Sequence, residues 1–242
     1  MFLLPINNDL DADNRPWAVI GLIALNSAIL IATYAFGNSQ QVFLRYGFVP
    51  AHPGLLALFT SMLLHAGFWH LAGNSWFLWM FGKQVEKSTG PWLFLALYAL
   101  CGLGGSFLHA LFNSNSSLPC VGASGAISGI AGLFLILFPT ADCDLVFYFG
   151  WIRLARVDSN AKTAVGAWIG EQALLGILSQ AVDFSTTAFW AHVGGFIVGL
   201  LAGLAFKGLI PLDKDGLPIE RPWFIPAEPA RKPSQLTELD IN

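Results

Sequence analysis

Gly122-Ala123-Ser124-Gly125-Ala126-Ile127-Ser128-Gly129 opens an apolar segment that runs to Phe138, and its reading decides the fold. Flanking glycines let a second backbone or a substrate come close to the Ser124 hydroxyl, and a helix that starts here aims free N–H groups at developing negative charge. Those are the requirements of acyl transfer. The same letters form small-xxx-small pairs, Gly125 with Gly129 and Ser128 with Gly132, the pattern that lets membrane helices touch. Taken alone, the stretch reads either as a packing face or as a nucleophile, and packing faces are the commoner of the two.

Outward from this segment, the 242-residue chain is 55% hydrophobic and 11% charged, with a mean hydropathy of +0.61. Soluble domains do not have this balance, so the chain belongs in a membrane. Apolar runs near the ~20 residues that a bilayer demands fall at 17–36, 56–81, 92–112, 121–138, 163–182 and 188–210. The expected fold is therefore all-α, a polytopic membrane protein with six transmembrane helices over residues 15–210. Residues 1–14 are expected to be a flexible cytoplasmic lead, and 211–242 a Pro-rich cytoplasmic tail that cannot build a core. Acidic Asp9, Asp11 and Asp13 precede the first run where a signal peptide would be basic, so no cleavable signal is expected.

With the N-terminus inside, Arg45 is the single basic residue of the 12 that falls outside, a strong positive-inside bias that places both termini in the cytoplasm. The net charge of −3 is uninformative, and no basic stripe interleaved with aromatics points to nucleic acid. Cys101, Cys120 and Cys143 have neither metal nor disulfide spacing; no metal and no cofactor is expected. The loop 38–55 is expected to lie in the interface as a gate or a cap, and the aromatic loop 139–162 to be partly membrane-associated.

Polar side chains at membrane depth are costly, so each needs an account. The second, fourth and sixth runs point the same way, which puts His65, His70 and Asn74, then Ser124, then His192 at one level. His70 and Asn74 are four residues apart and share a helix face. By themselves they are either a helix-holding hydrogen-bonded pair or part of a site. The sixth run carries Gly195-xxx-Gly199-xxx-Gly203, a smooth face able to lie on the small-residue face around Ser128. That packing would carry the His192 imidazole to the Ser124 hydroxyl, so packing and catalysis cease to compete. Glu171 and Gln172 stand out in the fifth run; Glu171 is expected to bond a neighbouring helix from the cytoplasmic half. His109 is expected to be interfacial, and Phe189 and Trp190 to be gate residues or ordinary interfacial aromatics.

With these pieces assembled, the sequence resembles the rhomboid family of intramembrane serine proteases. The matching motifs are His65-x4-His70-x3-Asn74, Gly82-x2-Val85-Glu86-x3-Gly90 followed by Tyr98, Gly122-Ala123-Ser124-Gly125-Ala126, and Ala191-His192-Val193-Gly194-Gly195, in family order over roughly residues 45–205. The resemblance implies a six-helix bundle in which Ser124 is the nucleophile and His192 the general base and acid. His70, Asn74 and the Ser124 backbone N–H would be the oxyanion donors, with His65 structural. It also implies peptide-bond hydrolysis near the outer end of a single-pass transmembrane substrate, in the lipid bilayer of a bacterial inner membrane, at a site opening outward. Many relatives carry Trp-Arg shortly before the second helix, where this chain has Leu56-Ala57. No acidic residue stands where a third triad member would; Asp183 is at the outer end of the fifth run, and packing is expected to orient the imidazole.

Two other readings compete. A catalytically inactive, client-binding relative would share the fold but would be expected to lack the serine or the histidine, and both are present. A small transporter would need paired broken helices near the midplane, which the sequence does not show. Oligomeric state leaves no mark on the sequence.

Overall fold

Nearly every side chain of α7 (Ser124–Leu137) is buried, and the other helices are arranged around it. The computed structural model describes residues 2–6, 15–149, 152–182 and 187–207. In chain order, α1 (Trp17–Phe36) is followed by the short α2 (Ser39–Tyr46), which Asn38 caps through its side-chain oxygen. Next come α3 (Leu55–Thr60), a 3-10 turn at Ser61–Leu63, and α4 (Phe68–Phe77). A π-helical turn (Leu78–Gly82) leads into α5 (Lys83–Thr89). Gly90, at φ 82°, turns the chain into α6 (Pro91–Phe112), which starts with a proline where no backbone donor is missed. After α7, a hairpin leads to α8 (Ala161–Ser179), capped by Asn160, and to α9 (Phe189–Lys207).

Trp17–Phe36, Pro91–Phe112 and Phe189–Lys207 are long and apolar enough to cross a bilayer. The segments Leu55–Leu63 and Phe68–Thr89 count as a fourth span if taken together, bent by 90°. The expected count of six is not reached by length and composition among the described residues. α7 has only 14 residues, and α8 carries Lys162, Glu171 and Gln172 in an otherwise apolar helix. The second expected run, 56–81, is also not one helix: the chain breaks at 64–67, and α4 starts only at Phe68. Large apolar side chains such as Ile31, Phe107, Leu174 and Leu201 cover the perimeter. Such a surface requires lipid around it, and the chain is an integral membrane protein.

A small sheet departs from the all-helical expectation. β1 (Phe2–Ile6) pairs antiparallel with β2 (Asp144–Phe149), which pairs with β3 (Ile152–Val157). The lead expected to be flexible therefore has a strand in it, and the aromatic loop is a hairpin whose Arg156 pairs with Asp144. Residues 7–14 and the tail 211–242 lie outside the described residues.

Two contacts hold the bundle's register. Glu86 reaches from α5 to the start of α1, where its carboxylate accepts the Ala18 and Val19 N–H groups at 2.8 and 2.9 Å. This is a cap supplied from another helix, with the charge at the favourable end of the α1 dipole. The second is the expected glycine seam. A Cβ on Gly195 would run into the Gly125 carbonyl, and one on Gly199 into that of Gly129; a Cβ on Gly105 of α6 would come 2.7 Å from the Ala191 carbonyl oxygen. Three backbones thus meet with nothing between them. Replacing Gly199 by Val is expected to cost about 3 kcal/mol or more and to abolish a cooperative melt in detergent. Gly170→Ala, where the added carbon meets nothing within 4 Å, should leave the Tm unchanged or slightly raised; equal Tm values for the two variants would contradict the seam.

Candidate active site

α7 rises only about 21 Å at 1.5 Å per residue, against a hydrocarbon core of about 30 Å. One of its ends must therefore stop inside the membrane or in a cavity. Its first turn has no side-chain cap, and the first helical bond is Ile127 N–H to the Ala123 carbonyl. The N–H groups of Ser124, Gly125 and Ala126 are left without helical acceptors. Between residues 123 and 134, Ser124 alone is not buried.

The approach to Ser124 depends on Gly122. Its φ of 130° is a conformation that side chains disfavour, and an added Cβ would meet the His70 ring at 2.8 Å. One turn into α7, the Ser128 hydroxyl donates to the His192 carbonyl at 2.6 Å. This bond, with the glycine seam, sets α9 so that His192 comes level with Ser124. Both side chains line a cavity of about 740 Å³, along with His70, Asn74, Trp168 and Gln172. No hydrogen bond joins Ser124 to His192 in this structure; in unliganded enzymes such contacts are commonly long and tighten with substrate.

The surroundings of each polar group give it a direction. The Ala66 N–H donates to His70 Nδ1 at 3.4 Å, which leaves the His70 proton on Nε2 as a donor. Asn74 is 8% exposed, and its Nδ2 is buried with no hydrogen-bond partner. Native structures rarely tolerate such a donor without a reason. His65 sits in the break before α4, buried, edge-on to His70 with ring centroids 5.2 Å apart. His192 Nδ1 is 2.7 Å from the Gln172 Oε1 atom, and the Trp168 ring stacks on the imidazole at 6.0 Å.

All four expected side chains, Ser124, His192, His70 and Asn74, therefore face one cavity. Gln172 and Trp168 were not expected in it. The available sign was their spacing, four residues apart on α8 and so on one face, with Gln172 a polar residue at membrane depth. The imidazole is oriented by a hydrogen bond as well as by packing, which corrects the expectation; Glu171 is not on the cavity wall, and Asp183 lies outside the described residues. His109, expected to be interfacial, lines the cavity and bonds Asn113. Trp190 stacks flat on Phe112 with centroids 3.8 Å apart, and with Phe189 forms part of the wall. Cys120 is also on the wall, but burial pushes its thiol up to about 11, so it stays protonated. Among the described residues no group of three His, Cys, Asp or Glu side chains converges as metal ligands would.

The Rhomboid domain family matches residues 52–208 of this chain. Rhomboid protease GluP of Bacillus subtilis is 42% identical over 148 residues, 61% of this chain and 25% of that protein. Rhomboid protein 1, mitochondrial, of Saccharomyces cerevisiae is 31% identical over 155 residues, 61% of this chain and 41% of the relative. RHOMBOID-like protein 5 of Arabidopsis thaliana is 33% identical over 170 residues, 70% and 48% respectively. The chain thus spans less than half the length of each of these relatives.

The geometry is open to a direct check. A cysteine placed at 124 should react with a water-soluble methanethiosulfonate above the background of native Cys120, while one at the buried position 128 should not. Equal labelling at the two positions would contradict the cavity.

Proposed function

The chain belongs to the rhomboid family, and from that premise we propose that it is an intramembrane serine endopeptidase working through a Ser124–His192 dyad. The observation that carries this reading is the Asn74 amide nitrogen, buried without a partner on the wall of the cavity that also contains Ser124 and His192. A buried donor left unpaired in the free protein is a preorganised partner for an oxyanion that exists only during reaction.

In this mechanism the Ser124 oxygen attacks the substrate carbonyl carbon as His192 Nε2 takes the hydroxyl proton. Negative charge moves to the carbonyl oxygen, which accepts hydrogen bonds from Asn74 Nδ2, His70 Nε2 and the Ser124 N–H. Collapse of this intermediate breaks the C–N bond, and His192 delivers its proton to the leaving amine. Water, deprotonated by His192, then attacks the acyl-enzyme and releases the new carboxyl group and Ser124. The uncapped start of α7 adds its dipole to the oxyanion's stabilisation.

The substrate in this reading is a single-pass transmembrane protein. Its helix must unwind locally, since a helical peptide bond is shielded by its own turns. With both termini in the cytoplasm, as the basic residues imply, the cavity opens to the outer face and draws its water from there.

The test is cleavage of single-pass reporters by the purified chain in proteoliposomes. The wild type should cut near the outer membrane boundary, and Ser124→Ala and His192→Ala should be silent. Asn74→Ala and His70→Ala should each lower kcat by about 10²–10³. If the wild type is inert on several reporters and Ser124 does not take up a fluorophosphonate, the chain is a client-binding protein of the same fold.

A further inference from the structure

We propose that Gln172 is a positioning residue for His192: its amide oxygen accepts the Nδ1 proton and so holds the imidazole in the tautomer whose Nε2 lone pair faces Ser124. The inference rests on the reading of Ser124 and His192 as nucleophile and base. A neutral imidazole has two tautomers, and only the one with the proton on Nδ1 can take a proton at Nε2. An amide oxygen accepts and never donates, so the 2.7 Å contact selects that tautomer. Both side chains are largely buried, 8% exposed for Gln172 and 9% for His192, which strengthens the bond.

One turn earlier on α8, Trp168 lies over the same ring, 29° from parallel. α8 therefore sets both the plane of the imidazole, through Trp168, and its rotation within that plane, through Gln172. When His192 takes the Ser124 proton, Nδ1–H stays on the amide oxygen and the partial negative charge there steadies the imidazolium. A carboxylate would do the same more strongly, but a permanent charge at this depth would need a partner of its own. The amide orients the base without that cost and favours its charged form less than a carboxylate would.

The experiment compares the full chain in proteoliposomes as wild type, Ser124→Ala, Gln172→Met and Gln172→Glu, measuring kcat, KM, Tm and the pH profile of kcat/KM on a reporter. Gln172→Met keeps the length and removes the acceptor; it should lower kcat about 10–100-fold with KM within about twofold of wild type. Gln172→Glu restores the acceptor and should recover most of the rate above neutral pH. Its acid limb should move to higher pH by about one unit, because a carboxylate beside the ring favours the protonated imidazole. His70 and His109, the other titratable side chains on this part of the wall, are common to all variants and cannot produce that shift.

Wild-type kcat in Gln172→Met would overturn the proposal, as would a Gln172→Glu profile whose acid limb does not move. Either result reduces Gln172 to a bond between α8 and α9. Should Gln172→Met fail to fold, the Gln172→Glu profile decides alone. Loss of the Ser124 requirement, or an inert wild type, instead overturns the dyad itself, so the two failures are told apart by the first two proteins.

Discussion

Backbone lies directly on backbone where α9 crosses α7, because Gly195 and Gly199 present no side chain to the Gly125 and Gly129 carbonyls. In a bilayer the hydrophobic effect does not drive one apolar helix onto another, so this contact draws on dispersion, hydrogen bonding and the entropy of the lipid it releases. The Ser128–His192 carbonyl bond is its polar complement and is as deeply buried. Everything at the site follows from the depth of that contact. Were α9 held off by one methyl group, the imidazole on its first turn would leave the level of Ser124.

The site is a set of polar atoms that the membrane would normally exclude, and each is retained by a different device. α7 is too short to span, so its uncapped N–H groups open on a cavity rather than on lipid. Gly122 brings the chain past the His70 ring where no side chain fits. Asn74 Nδ2 has no partner, which is unfavourable in the free protein and useful only when a charge develops opposite it. Away from the cavity wall, the Glu86 carboxylate anchors the start of α1 on α5. Departures from the local rules of burial and capping gather where the proposed chemistry would occur, as expected of a functional site, although the Asn26 and Tyr98 oxygens are also buried without a partner away from it.

Part of this arrangement could be read in the sequence because it is written in short-range patterns. The spacing of Gly195, Gly199 and Gly203 announces a helix face, and His70 with Asn74 share a face wherever the helix starts. The bend at 64–67 could not be read, since an apolar run records residence in the membrane and not the direction of the chain through it. Nor could the sheet, whose first strand comes from residues 2–6 and its partners from beyond 143, a pairing with no local signature. Gln172 was visible as an anomaly in α8, but the rotation of α8 that turns it to His192 is a property of the packed bundle. The same holds for His109: its place near the end of a helix is legible in sequence, but the cavity it lines is not.

The most direct measurement is the structure of the chain after reaction with a peptidyl chloromethyl ketone, a reagent that alkylates a histidine only after a serine has added to its carbonyl. The account predicts one inhibitor bonded to both Ser124 Oγ and His192 Nε2, with its tetrahedral oxygen about 2.7–3.1 Å from Asn74 Nδ2 and His70 Nε2. Attachment at Cys120 alone, or an oxygen turned away from Asn74 and His70, would contradict it.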